Sequence, residues 1–154
     1  MIEPGEPVAI FARASTSGAT APLLRSFWMG GFEGADHVNG AGIPLDMARS
    51  SGHLQRLDRD YAAAASLGLR SLRESVGWRL SEPAPGRFDL ARVRRIAAAA
   101  RRAEVQIVWS LMHYGTPPDL DLFDDRLIDR FAAFAAAVAT EVQEADPGAV
   151  PILV

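Results

Sequence analysis

The chain of 154 residues has no cysteine. Disulfides, thiolate nucleophiles and cysteine-ligated metals are excluded with it. It has no lysine either, since all 16 basic residues are arginine. That removes a Schiff-base lysine and a phosphate-loop lysine from consideration. No apolar run reaches the ~18 residues of a membrane span, so no membrane partner is expected. The formal net charge is −3 with no block of like sign, and nucleic acid, which needs a basic face, is not an expected partner. No strand–helix junction carries a Gly-x-Gly-x-x-Gly fingerprint, which argues against a dinucleotide. His37, His53 and His113 are irregularly spaced, with no carboxylate at helical spacing on the same face. No cofactor and no metal are expected. The start, Met-Ile-Glu-Pro-Gly-Glu-Pro, is acidic and proline-broken, unlike a secretory signal, and the expected location is cytoplasmic.

What is present is apolar material: 49% of the chain, enough for one domain with a core. Residues 1–24 hold a short apolar patch and a Ser/Thr/Gly/Ala stretch, and read as a flexible leader. Residues 25–154 read as a sequence of strands and helices. Ser26 to Phe32 is a first strand, followed by a long loop from Ala35 to Gly52. His53 to Leu67 shows helical spacing of Leu54, Leu57, Tyr61 and Ala64 or Ala65, stopped by Gly68. Leu69 to Ser75 is a second strand. Asp89 can cap a second helix with Leu90, Val93, Ile96, Ala97 and Ala100 on one face. Its arginines, Arg92, Arg94, Arg95, Arg101 and Arg102, read as a solvated face. Val105 to Met112 is a third strand. A third helix starts near Asp124 or Asp125, with a stripe of Leu127, Phe131, Phe134, Ala135, Val138 and Val142. Ala149 to Val154 opens a fourth strand.

The order β-α-β-α-β-α-β, with near-continuous apolar strands between amphipathic helices, predicts a parallel sheet covered by helices. Leu69 to Trp78 sharpens this. Apolar residues hold the strand, while its far end carries Arg73, Glu74, Ser75 and Trp78. That polarity fits a β/α barrel, whose site lies at the C-terminal ends of its strands. A whole barrel takes roughly 250 residues, so residues 25–154 are expected to form an N-terminal half, strands one to four of a (β/α)8 TIM barrel. Its open edges predict self-association. A flavodoxin-like domain is the alternative topology and requires the strand order to reverse.

In a barrel, Glu33, Arg73, Glu74, His113 and Tyr114 all lie at or just past strand ends that converge on one mouth. Arg73, on a strand expected to be buried on both sides, needs a carboxylate: a functional partner, or a structural pair with Glu33 or Glu74. His113 either binds a substrate hydroxyl or satisfies a core carbonyl. Glu33 either contacts substrate or stabilises the mouth. Trp78 and Tyr114 either form an aromatic wall for a sugar ring or are plain packing. Ser75 has no nearby histidine in sequence, so a serine nucleophile is not expected.

Several runs resemble one family. His53-Leu-Gln-Arg-Leu-Asp-Arg-Asp-Tyr61, Leu67-Gly68-Leu69 and Arg73-Glu-Ser75-Val-Gly-Trp78 resemble the first helix and second strand of family 1 glycoside hydrolases (β-glucosidase-like). Pro83-Ala-Pro85-Gly86-Arg-Phe88-Asp89 resembles a turn common among barrel glycosidases. Ser110 to Pro117 resembles the segment after strand three, and Phe32-Glu33-Gly34 the end of strand one. The resemblance implies hydrolysis of O-glycosidic bonds with retention, by two carboxylates about 5 Å apart. The family places these at strands four and seven, and neither position is matched in this chain, which is therefore expected to be inactive alone. Carried over, Arg73 orients the nucleophile, His113 binds a glycone hydroxyl and Trp78 packs near the mouth. The implied partner is a carbohydrate or glycoside substrate. The alternative is a non-catalytic carbohydrate-binding or interaction module. The sequence departs from the family at Gly31, where the family has glutamine, and at Tyr114, where it has tryptophan.

Overall fold

The computed structural model describes residues 22–154, so most of the leader expected over residues 1–24 lies outside the described residues. Four strands form one parallel sheet in the order β1-β2-β3-β4. They are β1 (Met29–Gly31), β2 (Ser71–Ser75), β3 (Gln106–Ser110) and β4 (Ile152–Leu153). Consecutive order with helical crossovers is the arrangement of the N-terminal part of a TIM barrel. No strand order reverses, which removes the flavodoxin-like alternative.

The helices follow from local chemistry. Helix α2 (Leu57–Ser66) ends in a Schellman turn. Gly68 sits at φ +80, its amide bonds Ala65, and the Leu69 amide bonds Ala64. Those bonds occupy carbonyls the helix end leaves open and aim the chain into β2. Helix α4 (Ala91–Arg102) ends in the same way, with Val105 bonded to Ala100. Here the left-handed position belongs to Glu104, at φ +55. Helix α5 (Leu127–Ala145) buries Phe134, Val138 and Val142 against α4 and the sheet. Among the described residues, no helix is long and apolar enough to cross a membrane.

Three local features differ from expectation. The helix expected from His53 is a single 3-10 turn, His53–Gln55, with α2 starting only at Leu57. The long loop after β1 holds a short helix α1 (Met47–Ser50), capped by the Asp46 carboxylate accepting from the Arg49 amide. A second short helix, α3 (Trp78–Ser81), follows β2 after Gly77 turns the chain at φ +78. Asp89 caps as expected, accepting from the Ala91 amide at 3.0 Å.

Strand alternation decides which residues meet solvent. Leu72 and Glu74 of β2 point to the helix layer, where Leu72 joins Ile107, Trp109, Ile96 and Phe134 in the core. Ser71, Arg73 and Ser75 therefore point to the opposite, inner face. Pairing places Gly31, Arg73, Val108 and Ile152 at one level of that face. Strand β2 is thus not buried on both sides: Arg73 is its one exposed residue.

Candidate functional site

Arg73 is carried to the inner face by the parity of β2, and His113 lies three residues beyond β3. The Arg73 Nη2 reaches the His113 Nδ1 at 3.2 Å. Glu33, two residues past β1, brings its Oε1 within 3.8 Å of the same nitrogen. Three residues from three strand ends therefore share one imidazole nitrogen. Glu33 also accepts from the Ala35 amide at 2.8 Å. That backbone bond, with the Arg73 guanidinium adding a smaller pull, holds its carboxyl below the usual range, so Glu33 is an anion at neutral pH. With Arg73 donating to Nδ1, the neutral imidazole carries its proton on Nε2 and has that donor free. The cluster presents a carboxylate acceptor, a guanidinium with donors to spare and an imidazole. Together these can bind vicinal hydroxyls or a carboxylate.

Gly31 is the bare position beside Arg73. A Cβ there would stand 3.1 Å from the Arg73 Cβ and 3.2 Å from its carbonyl oxygen. The glutamine that the family resemblance would place at this position would need the Arg73 backbone to give by a few tenths of an ångström. Tyr114 is 72% exposed and held at φ +72, an uncommon conformation for a residue with a side chain. Its ring lies 4.7 Å from His113 and 5.6 Å, edge-on, from His37. It therefore extends the cluster with an aromatic surface.

Three expectations need correction. Arg73 pairs with neither Glu33 nor Glu74: its side-chain contact is His113, and Glu74 lies on the opposite face of the sheet. Trp78 does not form a wall at the mouth. It is fully buried, stacked on Phe134 at 5.7 Å, and its indole donates to the Glu82 Oε2 at 2.6 Å. The turn after β2 sends it into the helix layer. There Glu82 also accepts from Arg130 and the Gly86 amide. Arg92 is also not part of a solvated face, because it reaches across to Asp46 at 2.6 Å.

Two further groups escaped the sequence reading. His53 is buried between the sheet and α2, with Nδ1 2.7 Å from Asp60 and Nε2 2.9 Å from Glu74. Tyr61 donates to the same Glu74 oxygen at 2.6 Å. Two carboxylates at the two ring nitrogens are both satisfied only by imidazolium or by a protonated carboxyl. Burial works against charge on His53, but the bonds to Glu74 and Asp60 outweigh it and raise its pKa. Burial first, then Glu74, raises the pKa of Tyr61. The available signal was the seven-residue spacing of His53 and Asp60.

Asp36 is the second group. It is fully buried, with neither carboxylate oxygen hydrogen-bonded within the protein. Burial pushes its pKa up to about 6, against the pull of Arg79 and Arg92. Its backbone is held firmly: the amide bonds the His113 carbonyl at 3.4 Å, and Arg79 donates to its carbonyl. Gly115 packs so close that a Cβ there would collide with the Asp36 carbonyl. The loop after β1 is thereby pinned against the segment carrying His113. Sequence offered no sign of this, because a loop aspartate ordinarily reads as solvated.

No family model matches the chain, and no curated protein matches it. Solved structures do. An exo-β-1,4-mannosidase from Opitutaceae bacterium strain TAV5 aligns with TM-score 0.60 and 24% identity, over 80% of this chain and 23% of its own. The β-glycosidase BGL167 aligns with TM-score 0.57 and 28% identity, over 66% of this chain and 26% of its own. The chain thus spans about a quarter of the length of these solved structures. The fold it shares with them is the N-terminal part of a TIM barrel, and the proteins that carry it are glycosidases.

Proposed function

We propose that the inner face of this chain is the carbohydrate-binding wall of a glycoside hydrolase-like barrel, of the family 1 type that the sequence motifs resemble. The observation that carries this reading is the convergence of Glu33, Arg73 and His113 on one open face at the C-terminal ends of three neighbouring strands. Barrel enzymes bind substrate at that end. Glu33 accepts from sugar hydroxyls, the free His113 Nε2–H donates to one, and Tyr114 covers an apolar face of the ring. Arg73 has donors left after its bond to His113. In a retaining reaction it orients a nucleophilic carboxylate that comes from outside these four strands.

The reading separates binding from turnover. A retaining glycosidase needs two carboxylates about 5 Å apart, one as acid/base and one as nucleophile. On the inner face Glu33 is the exposed carboxylate of the cluster, and it is engaged with the Ala35 amide. The chain by itself therefore binds glycosides without cleaving them. Calorimetric titration with methyl β-glucoside and methyl β-mannoside tests this. Weak saturable heat that disappears in Arg73→Ala, with no release of nitrophenol from aryl β-glycosides, is expected. Unchanged heat in Arg73→Ala, or aryl glycoside turnover by the chain alone, contradicts the reading.

A further inference from the structure

Phe32 and Glu33 follow β1 directly and, by strand alternation, point to opposite sides of the sheet. Phe32 extends the pairing one residue beyond β1, its amide bonding the Arg73 carbonyl at 3.1 Å. Its ring packs against the core on the helix side. There it stacks on the His53 imidazole, with centroids 3.8 Å apart and planes 11° from parallel. His53 is gripped at both nitrogens: Nδ1 lies 2.7 Å from Asp60 of α2, and Nε2 lies 2.9 Å from Glu74 of β2. A single hydrogen bond would let the ring swing about it, whereas two fix its plane. The stack therefore joins β1 to β2 behind the sheet, through Phe32 on one strand and Glu74 on the other. The next residue along from Phe32 is Glu33, and the one before Glu74 is Arg73. Both belong to the inner face. The Glu33 side chain is 56% exposed, so the backbone beneath it decides where its carboxylate stands.

Core stability does not call for this arrangement. An apolar side chain of similar volume would fill the same space with no charge to desolvate. The imidazole adds two things to mere filling. Both of its nitrogens donate at once only when the ring is protonated, and a cation lying over the face of Phe32 is attracted to it. The raised pKa of His53 agrees with a protonated ring. Its ionisable neighbours are Glu74 from β2, and Asp60 and the Tyr61 hydroxyl from α2, with Tyr61 bonded to Glu74 at 2.6 Å. Arg56, at the entry to α2, lies 4.0 Å from the other Asp60 oxygen. From the preceding loop, the uncharged Ser51 hydroxyl accepts the His53 amide at 3.4 Å.

We propose that His53 is a positioning residue for the inner face: as imidazolium it clamps Phe32 from behind the sheet, and through Phe32 it fixes Glu33 beside Arg73 and His113. The clamp loosens when the ring loses its proton, because Asp60 or Glu74 is then left without a donor. As a device for holding a sugar site, this rests on the carbohydrate reading above. The experiment separates the two.

The Ala35 amide, which donates to the Glu33 carboxylate, reports where Glu33 stands. In a nuclear magnetic resonance pH titration of the isotope-labelled chain, its signal should shift with the same midpoint as the His53 ring, above the ordinary 6.5. The His113 ring, followed in the same spectra, gives the midpoint of the imidazole beside Glu33. Phe32→Leu keeps the bonds of His53 and removes the stack. In that variant His53 should still titrate, while the Ala35 amide no longer follows it. Affinity for methyl β-glucoside or methyl β-mannoside should fall at least about fivefold, the low end of coupling between linked sites. An Ala35 amide that follows His113 alone, or that still follows His53 in Phe32→Leu, overturns the proposal. So does a sugar affinity unchanged by Phe32→Leu. A native chain that binds neither glycoside overturns the carbohydrate reading instead, and the Ala35 shift then decides the positioning of Glu33 by itself.

Discussion

Arg73 and Glu74 are neighbours on one strand and live in different worlds. Glu74 faces the helices and is closed on by His53 and Tyr61 at 2.9 and 2.6 Å. Arg73 faces the open inner side of the sheet, where its guanidinium bonds His113 at 3.2 Å. The same residue types recur on both faces: carboxylate, histidine, arginine, aromatic. On the helix side they are buried and mutually satisfied, as in the Trp78–Glu82–Arg130 chain. On the inner side they are exposed, with hydrogen-bonding capacity left over. Spare capacity in the open, and not residue type, is what separates a site from a structural network.

The comparison can be broken by substitution on each face. The largest effect is expected at the aromatics. Trp78→Ala empties a fully buried site and should cost about 3–5 kcal/mol. Tyr114→Ala removes a 72% exposed ring and should stay within about 0.5 kcal/mol. Urea midpoints of the two variants measure the contrast. If Tyr114→Ala costs as much as Trp78→Ala, the two faces are not distinct.

Next in size is the pair on β2 itself. Glu74→Leu leaves His53 and Tyr61 without their shared acceptor and should cost about 3 kcal/mol. Arg73→Leu should leave the urea midpoint in place. The Glu74 network also has a pH signature. The raised pKa of His53 means that the protonated ring stabilises the fold. That contribution is fully present below the ordinary value of 6.5 and is lost as pH rises through the raised one. Glu74→Leu should flatten this loss.

Asp36, buried in the loop after β1, sharpens the contrast from the other side. Its pKa is raised, so folding resists the ionised form. The penalty is absent below the ordinary 3.8, grows up to about 6 and is constant above. At about 1.4 kcal/mol per tenfold change, that amounts to about 3 kcal/mol. Asp36→Asn should therefore match the native protein near pH 3.5 and exceed it at pH 7, read as the difference in thermal midpoint (pH values set by the two pKa limits). The smallest effect belongs to the helix ends. Gly68 and Glu104 hold the same left-handed position, and Glu104→Gly should gain up to about 1 kcal/mol by relieving it. Gly68→Ala should lose stability at the equivalent place.

Much of the fold was legible because helix spacing, the glycine after α2 and the apolar strands agree with one another. The four strands, their order and the stripe on α5 appear as the pattern predicts. Strand parity was not legible. The Leu69 to Ser75 run has too few apolar residues in alternation to say which side of β2 is wet, so Arg73 read as buried and Trp78 stayed open between a mouth wall and plain packing. The turn at Gly77, which buries Trp78, has no apolar period to announce it. The convergence of Glu33, Arg73 and His113 was legible only through the barrel, because it joins three strand ends far apart in sequence. The exposed Tyr114 and the bare Gly31 stand at the departures already visible in the motifs.

The proposed binding of carbohydrate on the inner face depends on Glu33, Arg73 and His113 together. Its most direct measurement is a nuclear magnetic resonance titration of the isotope-labelled chain with methyl β-glucoside and methyl β-mannoside. The account predicts saturable shifts in the Arg73 side-chain and His113 ring signals and in the Ala35 amide, which Glu33 accepts. The buried His53 ring signals should stay in place. Shifts confined to the helix side, or none at any of these groups while the chain remains folded, would contradict it.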